Sequence, residues 1–113
     1  MYFVYFVVES FFMITSGCTG WDPNPAEYAT APSLRGPWTC RGTPCIGRDA
    51  DTTFHAQSTF VLPVAGEPEA FIFMADRWKK EELRNFTYIW LPIRFHDTRM
   101  YIEWKPSWER CSL

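Results

Sequence analysis

A chain of 113 residues with a net charge of −2 has the length of one domain and no cationic field for a polyphosphate backbone, so no nucleic-acid partner is expected. Apolar residues make up 47% of it and aromatics 19%, including 6 Trp, 10 Phe and 5 Tyr, which is far too much to bury for a disordered tail. The opening apolar run, residues 1–8, is parted from residues 11–14 by Glu9 and Ser10 and falls short of the about 20 residues a membrane helix needs, so no membrane segment is expected. It also lacks the cationic start of a signal peptide and carries Glu9 where such a segment stays apolar, so it reads as a buried strand.

Nine prolines and six glycines interrupt the chain too often for long helices, and the runs between them are short, β-branched or aromatic. The expected class is all-β, with strands over residues 2–8, 11–16, 27–31, 53–62, 70–76, 87–95 and 99–104. Residues 20–25 (GWDPNP), 65–68 (AGEP) and the pair His96-Asp97 supply turns, and the charged stretch 79–83 (KKEEL) reads as an exposed loop segment. Alternation over 53–62 places Thr53, His55, Gln57 and Thr59 on one face of a strand and Phe54, Ala56, Ser58 and Phe60 on the other. Residues 53–108 thus read as four consecutive antiparallel strands, one blade of a β-propeller. Residues 1–45, with Gly36-Pro37-Trp38 near their end, are less regular and supply most of a second blade. Propellers close with roughly four to eight blades, so the chain is either one partial propeller domain spanning 1–113 or a small β-sandwich.

Cys18, Cys40, Cys45 and Cys111 form no C-x-x-C pair, and His55 and His96 stand apart, so a structural zinc is not expected. The residues alone leave disulfides and free thiols equally open. The sequon Asn85-Phe86-Thr87 is a short pattern that also arises by chance.

The ordered run of FFMITSGCTGW (11–21), DPN (22–24), YATA (28–31), LRGPW (34–38), GTPCIG (42–47), TTFHAQSTFVLP (52–63), FIFMADRW (71–78) and YIWLPI (88–93) resembles the later blades of family 43 glycoside hydrolases. It looks most like their exo-β-1,3-galactanase branch, the galactan 1,3-β-galactosidases. The resemblance implies about two blades of a five-bladed propeller whose axial funnel removes terminal galactose from β-1,3-galactan with inversion. Inversion takes a general acid and a base about 6.5 to 9.5 Å apart. In this branch the position of the base is held by a glutamine, which Gln57 matches. An amide has no useful basicity in its ordinary form, so Gln57 would orient the water or act as its imidic tautomer. The family's general acid is a glutamate upstream of the aromatic pair matched by Phe11-Phe12. Glu9 stands too close to that pair to match it, so the acid is expected before Met1 and the chain alone is expected to be inactive.

Thr19 and Trp21 match positions at the mouth of the family's galactose site, as a hydroxyl partner and a stacking indole; a turn threonine and a packing tryptophan are the alternatives. Arg77 and Trp78 would reach the funnel from the second strand of the blade, against an inter-blade ion pair and a core indole. His55 is noted as the neighbour of Gln57. Cys18 and Cys45 lie in motifs that occur together in the family's fungal-like members, which implies a disulfide, with Cys40 and Cys111 unassigned. The resemblance further implies an extracellular, secreted protein acting on a polysaccharide or oligosaccharide such as arabinogalactan, with the missing blades in the full-length protein. No cofactor is called for, and a central calcium is left open. The alternatives are a non-catalytic carbohydrate-binding module on a sandwich and another family 43 specificity, such as β-xylosidase or arabinofuranosidase.

Overall fold

Side chains alternate across a strand, so each sheet has an inner face turned to the core and a second face. In the computed structural model, which describes residues 2–7, 10–17, 23–67, 69–77 and 87–109, nine strands form two sheets. The first sheet is a simple antiparallel meander of β1 (Tyr2–Val7), β2 (Ser10–Thr15), β3 (Glu27–Ala31) and β4 (Thr39–Gly42). The second has the order β5-β9-β8-β7-β6, built from β5 (Cys45–Ile46), β6 (Gln57–Pro63), β7 (Phe71–Arg77), β8 (Thr87–His96) and β9 (Arg99–Glu103). β6 to β9 are antiparallel neighbours in sequence order, and β5 adds a short parallel strand outside β9. None of the helices among the described residues is long and apolar enough to cross a membrane.

Register explains where the core sits. Phe12 and Ile14 on β2 lie opposite Thr30 and Tyr28 on β3, and all four are buried. In the second sheet Phe71, Phe73 and Ala75 pair with Ile93, Leu91 and Ile89, again all buried. These two faces meet in one apolar cluster. Phe95 stitches it together, with its ring edge-on to Phe12 at 5.1 Å and to Phe71 at 5.9 Å. Fully burying each such side chain stabilises the fold by roughly 1.5–3 kcal/mol. On the opposite face of the second sheet three large aromatic side chains stay exposed, Phe60 at 42%, Tyr88 at 65% and Trp90 at 51%.

Pro92 is buried inside β8, a central strand, where proline is normally excluded because it has no N–H to give the ladder. Here the pairing of β8 with β9 runs from His96 opposite Arg99 to Ile93 opposite Ile102 and stops short of Pro92. The chain then leaves the sheet, and the Trp108 indole Nε1 donates to the Trp90 carbonyl at 2.7 Å.

Three expectations are corrected. The strand over 53–62 begins only at Gln57, because residues 50–55 form a 3-10 turn (Ala50–Thr52) followed by a left-handed turn. The proposed strand face of Thr53, His55, Gln57 and Thr59 therefore does not exist. Two strands, β4 and β5, were not anticipated: β4 is exposed at all four positions and β5 has two residues, so neither carries an apolar period.

Candidate active site

The segment leading into Gln57 is the most constrained backbone among the described residues. Thr53, Phe54 and His55 have φ of 52°, 58° and 59°, three successive non-glycine residues in the left-handed region. Each costs about 1–2 kcal/mol there, because Cβ crowds the following carbonyl. Such a turn persists only where its surroundings over-determine it.

The surroundings do so from three sides. Within the turn, the Phe54 N–H donates to the Asp49 carbonyl at 2.8 Å, and the Ala56 N–H donates to the Thr53 carbonyl at 3.1 Å. From the first sheet's side, the buried Thr53 hydroxyl donates to the Asn24 carbonyl at 2.7 Å and accepts from the Ala26 N–H at 2.8 Å. From β7, Arg77 Nε donates to the Phe54 carbonyl at 3.0 Å, while its guanidinium lies 4.8 Å from the centre of the Trp104 ring. That indole packs on the buried Phe54 ring at 6.0 Å. The Arg77–Trp104–Phe54 stack adds cation–π attraction to the hydrogen bond.

The same Asn24 closes the loop that bears Thr19 and Trp21. Its side chain accepts from the Gly17 N–H and donates to the Gly17 carbonyl, both at 2.9 Å. The base of that loop and the turn before Gln57 are thus one hydrogen-bonded unit. Thr19, Trp21 and Trp78 themselves lie outside the described residues.

Gln57 opens β6, half-buried, directly opposite Asp76 on β7. A register shift between Ser58 and Phe60 makes Thr59 the extra residue of a bulge, and its hydroxyl donates to the Met74 carbonyl at 3.2 Å. The bulge resets the alternation so that Ser58 and Val61 both face the core, leaving Gln57 and Asp76 together on the other face. Burial pushes the Asp76 carboxyl above its ordinary value.

His55 does not accompany Gln57. It sits in the turn with its ring turned to Asp49, Nε2 to Oδ2 at 3.5 Å, and its side chain is 60% exposed. Arg77 is engaged with Phe54 and Trp104 rather than in an ion pair. Asp76 was not singled out from the sequence, and Thr53 and Asn24 appeared there only as members of a strand face and of a motif. The only signal for Asp76 was a lone carboxylate at the end of the apolar strand FIFMAD.

Cys45 is a free thiol, 2% exposed, on the inner side of β5, and its expected partner Cys18 lies outside the described residues. Burial pushes the Cys45 thiol up to about 11, against the opposing hydrogen bonds of Thr43 and Thr53. At neutral pH Cys45 is therefore overwhelmingly the neutral thiol. A maleimide or disulfide reagent is therefore expected to modify the exposed Cys40 in the folded chain and Cys45 only after denaturation, as read by mass mapping. Equal modification of both in the folded state would contradict this burial. Among the described residues no three His, Cys, Asp or Glu side chains converge.

No protein-family model and no curated protein matches the chain. Solved structures do. It superposes on a GH43 β-1,3-galactosidase with galactodeoxynojirimycin at a TM-score of 0.87 and 45% identity, covering 95% of this chain and 31% of that one. A second GH43 β-1,3-galactosidase gives a TM-score of 0.90 at 30% identity over 98% of this chain and 24% of that one. An exo-β-1,3-galactanase from Phanerochaete chrysosporium with β-1,3-galactotriose gives 0.76 at 31% identity over 88% of this chain and 22% of that one. The chain thus spans a third or less of these three structures, its two sheets corresponding to part of their propeller rather than to a closed sandwich. With nearly all of its length superposed on these enzymes, the chain belongs to glycoside hydrolase family 43, within the exo-β-1,3-galactanase branch.

Proposed function

We propose that this segment forms one wall of the funnel of an inverting exo-β-1,3-galactanase, in which Gln57 holds the attacking water while terminal galactose is released from β-1,3-galactan. The observation that carries the reading is the 45% identity over 95% of the chain with a galactosidase that binds galactodeoxynojirimycin. It is supported by the strained, triply anchored turn that sets Gln57 at the start of β6. Strain of this kind concentrates where a side chain has to be held in one place.

The galactotriose bound by the fungal galactanase favours an oligosaccharide of the same linkage as substrate. The base of the Thr19–Trp21 loop is tied to the same turn, which supports a role for that loop at the mouth of the galactose site. An extracellular enzyme acting on arabinogalactan fits this chemistry.

The test is a chimera in which this segment replaces the matching portion of the galactodeoxynojirimycin-binding galactosidase. The chimera is expected to release galactose from β-1,3-galactan and to leave xylan and arabinan intact, whereas the 113-residue chain alone releases none. A folded chimera that binds galactan without cleaving it would count against a catalytic wall and for a binding module.

A further inference from the structure

A carboxamide is a poor proton acceptor, so a glutamine in the place of a base needs a neighbour that takes the proton its nitrogen gives up. Gln57 and Asp76 are direct cross-strand partners on one face of the second sheet. Side chains so placed start from Cβ atoms about 4.5–5.5 Å apart, a span that a glutamine amide and an aspartate carboxylate can bridge on rotation about their side-chain bonds. The groups facing Asp76 are Gln57 on β6 and Tyr88 on β8. Arg77, next on the same strand, alternates away and gives its Nε to the Phe54 carbonyl. No ion pair among the described residues involves the Asp76 carboxylate.

We propose that Asp76 is the positioning partner of Gln57, holding its carboxamide by one N–H and receiving the proton that leaves it; this rests on the role given to Gln57 above. As water attacks the anomeric carbon, one water O–H bond breaks and that proton goes to Gln57 Oε1. One N–H bond of Gln57 breaks at the same time, its proton passing to the Asp76 carboxylate. The water oxygen is left bonded to the sugar, Gln57 is left as its imidic tautomer and Asp76 is neutral. The glycosidic C–O bond breaks with its electron pair on the leaving oxygen, which takes a proton from the enzyme's carboxylic acid. The relay resets when Asp76 returns its proton to the Gln57 nitrogen and Oε1 loses its own to solvent. The partial burial that raises the Asp76 carboxyl also makes it the better acceptor.

In this chain, the side-chain amide NMR signals of Gln57 are followed between about pH 3 and pH 8. They are expected to shift as Asp76 titrates, with a midpoint above the ordinary aspartate value of 3.8, and to stop shifting in Asp76→Asn. Signals that do not move with pH overturn the proposal. In the chimera, Asp76→Asn is expected to lower kcat about 10²-fold with KM nearly unchanged and to remove the acidic limb of the kcat–pH profile, while Asp76→Glu restores part of both. If Gln57→Ala removes activity but Asp76→Asn leaves rate and acidic limb intact, the relay falls and the role of Gln57 stands. If Gln57→Ala is fully active, the reading of Gln57 falls, and the relay with it.

Discussion

Gln57→Ala, made in the chimera, is expected to lower kcat for galactose release by about 10²–10⁴-fold, the usual contribution of a group that manages a proton in the transition state. KM should change little, because the amide is asked to act on the water and not on the sugar in the ground state. The magnitude follows from geometry rather than residue type. Gln57 is delivered by a turn with three residues at φ of 52–59°, and that turn is anchored by Thr53 and by Arg77. Fold is not at stake in the substitution, since Gln57 is only half-buried at a strand end and none of the contacts that clamp the turn involve its side chain. Steady-state kinetics on β-1,3-galactan with a circular-dichroism control separates the two effects. A rate within about threefold of the parent would remove Gln57 from the mechanism.

The largest stability effect is expected at Phe73. Its side chain is 0% exposed, it pairs with Val61 on one side and Leu91 on the other, and it belongs to the cluster shared by both sheets. Phe73→Ala removes that apolar area and leaves a cavity the sheets cannot close, so equilibrium denaturation in urea is expected to show a loss of about 3–5 kcal/mol. That is a large share of the 5–15 kcal/mol typical of a whole domain. Phe73→Leu, which keeps most of the volume, should cost less than about 1.5 kcal/mol and provides a folded reference. If Phe73→Ala cost no more than the leucine variant, the two sheets would not share a packed core.

Strand positions were readable wherever one face was buried. The inward sets Phe71-Phe73-Ala75 and Ile89-Leu91-Ile93 alternate in the sequence as they do in the sheet. The same rule misled at 53–56, where buried Phe54 and Ala56 mimic a strand although the backbone there turns left-handed. Nothing local announces that turn. It is held by Asn24 and Arg77, each more than twenty residues from its partner, and only the folded chain brings them together. The strand face drawn around Gln57 failed for a second local reason: the extra residue Thr59 shifts the parity of everything after it. Gln57 itself was recognised by resemblance of the run HAQST, and Asp76 became visible only as its partner across the ladder.

Pro92 lies on β8, two strands from β6, at the point where the ladder to β9 stops. Had residue 92 an N–H to offer, β9 could pair onward past Glu103 and draw Trp104 into the sheet. By withholding one donor, the proline sets the length of the last strand and releases the following residues to travel across the molecule. Trp104 is thereby free to lie between Phe54 and the Arg77 guanidinium. The packing of the turn before Gln57 is thus tied to where the ladder between β8 and β9 stops, one residue short of Pro92.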